Sequence, residues 1–136
     1  MLANMFKPRG LVLMSPYTTV KDVAVNVAGK FLSLFISEHF NNLEMMKRVK
    51  CPVLLIHGEA DTLIPSKHSH VLFETLLNQR EFQEAADECF DHLPYCNVVF
   101  HQKMTHNDFH MDHEILTPMK EFIQSIIPLY ENQNKY

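Results

Sequence analysis

At 136 residues, 46% of them apolar and 21% charged, the chain has the length and balance of one globular domain, which excludes a disordered or fibrous protein. A formal net charge of -4, with Lys and Arg scattered rather than massed on one stripe, argues against a nucleic-acid partner. No run approaches the roughly 18 apolar residues of a membrane span, and the opening MLANMFKPRG lacks the apolar core of a secretory signal, so a cytoplasmic protein is expected.

The segments alternate between short β-like runs and helical periodicity, the pattern of an α/β sheet. GLVLMSP, residues 10–16, is a continuous apolar run ended by Pro16, as expected of a strand covered on both faces. Beyond it Ala24, Val27, Ala28, Phe31 and Phe35 recur at helical spacing, with Thr18 or Thr19 as N-cap, and one face of that helix is expected to be buried. CPVLLIHG, residues 51–58, is the second strand. A helix capped by Ser66 follows, with Val71, Leu72, Thr75 and Leu76 on its inner face and an end near Asn78.

Residues 80–94 form an acidic, weakly patterned insertion. CNVVFHQ, residues 96–102, is the third strand, with Val98, Val99 and Phe100 favouring extended backbone. The final helix has Pro118 in its first turn and a stripe of Met119, Phe122, Ile123 and Ile126, and Pro128 is expected to stop it. Right-handed crossovers then predict three neighbouring parallel strands with helices on both faces. Cys51, Cys89 and Cys96 lack CxxC spacing and read as thiols of a reducing compartment; a Cys89 to Cys96 disulfide is the alternative.

Functional groups of parallel sheets gather in loops past the carboxyl ends of strands. Two loops here carry suitable ones: Asp61 in HGEADTLIP after the second strand, and His106 in HQKMTHNDF after the third. A carboxylate bonded to one imidazole nitrogen fixes the tautomer and leaves the other nitrogen to take a proton from a nucleophile, so Asp61 would orient and His106 act as base. A helix-capping Asp and a surface His account for the same spacing, and both readings stand on the residues alone. His106, His110 and His113 also have spacings that converge on a helix face, but a solvated first helical turn explains them more simply than a metal site. His68 and His70 read as exposed residues at a helix start.

The stretch CPVLLIHGEADTLIP resembles the acid loop of the α/β-hydrolase superfamily, THNDF resembles its histidine loop, and LVLMSPYTT is similar to the preceding strand and turn. Together they cover most of residues 1–136, read as one partial domain. The branch they resemble is the alpha/beta-hydrolase domain-containing protein 17 group, serine hydrolases that remove palmitoyl thioesters from proteins. The resemblance implies that Asp61 is the triad acid and His106 the triad histidine, on the seventh and eighth strands of that family's sheet. It also implies a serine hydrolase of esters or thioesters, without a cofactor, acting on acylated proteins or small esters. The chain departs from the pattern at Lys103, Met104 and Thr105, where the family often has a glycine, and in the 80–94 insertion.

The larger departure is the nucleophile. The G-x-S-x-G elbow needs small residues around a sharp strand-to-helix turn, and Gly10, Gly29 and Gly58 flank no serine at that spacing. Ser15 reads as a structural turn and Ser66 as a cap, while Cys51 precedes its strand and lies at the wrong end of the sheet. The resemblance places the elbow and oxyanion hole outside this chain, which alone is expected to be inactive. Without its neighbours the strand Leu11 to Met14 would be an open edge, expected to pair with another copy, and membrane contact would come only from sequence outside the chain. A non-enzymatic interaction module built on that edge is the rival reading.

Overall fold

The computed structural model describes residues 8–29, 40–84 and 95–131. Three strands, β1 (Leu11–Met14), β2 (Val53–Gly58) and β3 (Cys96–His101), form one sheet in the order β1-β2-β3. Both pairings are parallel, with Leu11 opposite Val53 and Val53 opposite Cys96. All residues of β2 are buried, as its unbroken apolar run requires of a central strand. The alternation of Cβ directions along that strand sends Val53 and Leu55 to one face and Leu54 and Ile56 to the other.

Each face has its own core. On one, Val53 and Leu55 pack with Met46 of helix α2 (Asn42–Met46) and with Leu72 and Leu76 of helix α3 (Lys67–Glu84). On the other, Leu54 and Ile56 pack with Met104, Ile115, Phe122 and Ile126, the last two from helix α4 (Thr117–Glu131). The parallel sheet with helices on both faces is therefore as the apolar runs predict. Phe31, Phe35 and Cys89 lie outside the described residues.

Several local expectations are corrected. Helix α1 (Val20–Ala28) is capped by Thr19, whose side chain accepts the Asp22 amide, and it ends at Gly29 with φ 81. Its Ala24 is only half-buried and its Val27 is 60% exposed, so the expected buried face is not formed there. Helix α3 continues past Asn78 to Glu84, and Val71 points outward while Leu72 and Leu76 carry the packing. Residues i and i+4 stack on one side of a helix, and Val71 lies about 100° from Leu72.

Pro118 stands in the first turn of the last helix, as expected, but that helix runs past Pro128. A π-helical turn, Met111–Leu116, leads into α4, and the Thr117 amide and hydroxyl both reach the Asp112 carbonyl. A wider turn just before Pro118 gives room for a ring that would press on the preceding turn of an α-helix. Pro128 stays inside the helix. The turn beyond it is held by tertiary contacts: Leu129 and Tyr130 pack on the second core, and the Tyr130 hydroxyl donates to the Arg9 carbonyl at 2.6 Å. No described helix is long and apolar enough to cross a membrane.

Candidate active site

Both loops of the site start from one place, the carboxyl ends of β2 and β3. The Glu59 amide donates to the His101 carbonyl at 2.9 Å, tying the start of the acid loop to the end of β3. Gly58 makes the approach possible, because a Cβ there would lie 2.0 Å from the Met104 carbonyl oxygen. Any larger residue would force the two loops apart.

The acid loop is built around its own carboxylate. Asp61 Oδ1 accepts the amides of Leu63 at 2.9 Å and Ile64 at 2.8 Å, a side chain closing a turn on its own backbone. Charge-assisted bonds of this kind contribute about 1.5–3 kcal/mol each. The other oxygen, Oδ2, accepts from Nδ1 of His106 at 2.9 Å. Burial by itself would raise the Asp61 carboxyl, but the Ile64 amide, the His106 ring and the Leu63 amide together outweigh it and hold the group below the ordinary 3.8. Asp61 is thus an ionised carboxylate at neutral pH.

An ionised carboxylate only accepts, so Nδ1 of His106 carries the proton and Nε2 presents a lone pair. The described residues make no hydrogen bond to that Nε2, and the His106 side chain is 31% exposed while that of Asp61 is fully buried. The histidine loop reaches this position through a buried anchor and a closed turn. Met104 is sunk in the second core, the Thr105 amide donates to the Asp108 carbonyl, and the Asp108 amide donates back to Thr105 Oγ1 at 3.0 Å. A buried methionine and a hydroxyl-closed turn thus stand where a glycine was expected.

The remaining residues weighed in the sequence separate from this pair. Ser15 has φ 44 at the end of β1, is buried, and its Oγ has no hydrogen-bond partner among the described residues. The Ser66 carbonyl accepts the His70 amide at the start of α3. His70 is exposed and stacks on Phe100 with ring centroids 4.2 Å apart. His68, expected at the surface, is buried instead: its Nδ1 lies 2.8 Å from Thr18 Oγ1, which donates to Asp22 at 2.6 Å, and its Nε2 lies 3.2 Å from Asn26 Nδ2. This network ties α1 to the start of α3. Its polar partners drew His68 inward, and no periodicity in the sequence marks them.

His110 caps the π-helical turn and His113 is exposed on it. Among the described residues no group of three or more His, Cys, Asp or Glu could hold a metal ion. The sequence reading also passed over His57, fully buried beside Asp61, and Ser69, its hydrogen-bond partner at 2.7 Å. The i, i+4 spacing of His57 and Asp61 in IHGEAD was the available signal.

Three parallel strands covered by helices on both faces make up the C-terminal portion of an α/β-hydrolase fold. The chain belongs to the serine hydrolase (FSH1) family, whose model matches residues 1–88, including β1, β2 and the acid loop but not His106. It is 35% identical over 72 residues to uncharacterized proteins from two Mycobacterium tuberculosis strains, a match covering 52% of this chain and 26% of each relative. The aligned part thus spans about a quarter of those relatives. Among solved structures, Pyrococcus horikoshii acylaminoacyl peptidase is similar with TM-score 0.57 and 15% identity over 87% of this chain and 19% of that one. An acylaminoacyl peptidase in complex with Z-Gly-Gly-Phe-chloromethyl ketone is similar with TM-score 0.54 and 16% identity over 93% and 20%. At these identities the likeness is one of fold.

Proposed function

We propose that the chain carries the acid and histidine of a Ser-His-Asp relay in a serine hydrolase of esters or thioesters, acylated proteins among its substrates. The serine and the oxyanion donors come from sequence outside this chain. One observation carries the reading: Asp61 Oδ2 holds His106 Nδ1 at 2.9 Å, the His106 side chain is 31% exposed, and no described residue bonds its Nε2.

In this mechanism the serine Oγ attacks the acyl carbonyl as its proton passes to His106 Nε2. Asp61 stabilises the imidazolium through Nδ1–H, and His106 then returns the proton to the departing alcohol or thiol. Water repeats the sequence on the acyl-enzyme and frees the acid. No cofactor takes part. Cytoplasmic location, and membrane attachment through sequence outside the chain, belong to the same proposal and are tested by fractionating cells that express the longer protein.

The test is labelling of a longer protein containing this chain with a fluorophosphonate probe. Labelling is expected there and absent from residues 1–136 alone. Asp61→Asn is expected to lower kcat by about 10⁴, and His106→Ala by at least as much. Undiminished labelling in either variant rules the relay out.

A second reading, a non-enzymatic interaction module, is supported by the outer side of β1, which no described strand pairs. Met14 there is 45% exposed, and an apolar groove of about 380 Å³ lies between α4 and Arg9, lined by Ile123, Ile126 and Ile127 among others. In this reading residues 1–136 pair Leu11–Met14 with another copy. Sedimentation that finds only monomer at high concentration dismisses it.

A further inference from the structure

His57 is an unusual residue to find where it is. It is the next-to-last residue of the central strand, on which every residue is buried, and its ring is wholly shielded from solvent. Burial pushes the ring below the ordinary histidine value, despite the Ile64 carbonyl and Asp61, so it is neutral and carries one proton. The position of that proton follows from its neighbours. Nε2 is 2.7 Å from the Ile64 carbonyl oxygen, which can only accept, so Nε2 donates. Nδ1 then accepts the hydroxyl proton of Ser69, a fully buried residue in the first turn of α3, at 2.7 Å.

Ile64 is consequently gripped from two sides. Its amide is on Asp61 Oδ1 and its carbonyl is on His57. The same His57 Nε2 stands 3.7 Å from Asp61 Oδ2, the oxygen that holds His106. A continuous line of contacts therefore runs from Ser69 through His57 and Ile64 to Asp61 and His106. An apolar side chain of similar volume would fill the site without the desolvation of an imidazole, so packing alone does not account for a histidine there.

The geometry points to His57 and Ser69 as positioning residues for the acid–histidine pair: they clamp the acid loop so that Asp61 keeps His106 in the Nδ1–H tautomer. This rests on the relay proposed above, and the two are separable because the readout needs no turnover.

The experiment is ¹⁵N and low-field ¹H NMR of residues 1–136, following the ring nitrogens of His106 and the proton of its bond to Asp61. The unaltered chain should show His106 in the Nδ1–H form with a resolved low-field proton. Asp61→Ala should abolish that signal; its persistence there overturns the relay and the clamp together. Ser69→Ala and His57→Leu are each expected to lose the low-field signal and to mix the two tautomers while the backbone spectrum stays folded. His57→Gln, whose amide can still donate to the Ile64 carbonyl, should retain the signal. In the Asp61→Ala background, adding Ser69→Ala should leave the tautomer mixture unchanged, since the clamp acts through Asp61. If His57→Leu does not fold, Ser69→Ala decides. A folded Ser69→Ala variant with the signal of the unaltered chain overturns the clamp and leaves the relay standing.

Discussion

The two flanks of the sheet are finished to different degrees. On the β2–β3 side each strand end is stitched to the next loop, Asp61 uses both carboxylate oxygens, and the buried His57 is bonded through both ring nitrogens. On the β1 side the edge strand ends at an exposed Met14, and Ile123 and Ile127 of α4 are 48% and 45% exposed. The difference shows that the pairing of Asp61 with His106 is built from β2, β3 and their own loops. The β1 flank contributes apolar surface, and nothing among the described residues covers it.

The sharpest way to break this contrast is at Gly58. Gly58→Val puts side-chain atoms where the Met104 carbonyl lies, and a loss of more than about 4 kcal/mol is expected in denaturant titration, together with loss of the Asp61–His106 bond. Next comes the core beneath the finished flank. Leu72 is fully buried, and Leu72→Ala should cost about 2–5 kcal/mol by the same titration. Ile127→Ala, on the open flank, should fall within about 0.5 kcal/mol of the unaltered chain. Equal costs at the two positions would mean that the open flank is covered in solution.

Acid should also act first on the buried histidines, His57 on the finished flank and His68 in the network between α1 and α3. Burial holds His57 and His68 below the ordinary 6.5, so between that value and their folded values the unfolded chain binds more protons. Their contribution is complete above pH 6.5 and drains away as pH falls through the folded values. Asp61, held below 3.8, adds a second loss at still lower pH. Urea midpoints measured against pH should therefore slope downward below 6.5, and His68→Gln should flatten the first part of the slope. The smallest effect on stability is expected at the edge. Met14→Lys should change it by no more than about 0.5 kcal/mol while reducing association of the chain in sedimentation.

The linear sequence settled what composition and period can settle. Unbroken apolar runs at residues 53–56 and 98–100 marked strands, Phe122 and Ile126 marked the inner face of α4, and the acid and histidine stood one on each loop past a strand end. Stop signals were weaker evidence. Pro128 lies inside its helix because a partly buried Tyr130 anchored on Arg9 holds the turn beyond it, an interaction spanning 121 residues that no local window contains. His68 and His57 were invisible as buried groups for the same reason, since the partners that offset their desolvation arrive from Thr18, Asn26, Ser69 and Ile64 only once the chain has folded. Tertiary structure alone set the 2.9 Å between Asp61 and His106, residues 45 apart in the chain, because that distance depends on parallel register and on a strand end without a Cβ at Gly58.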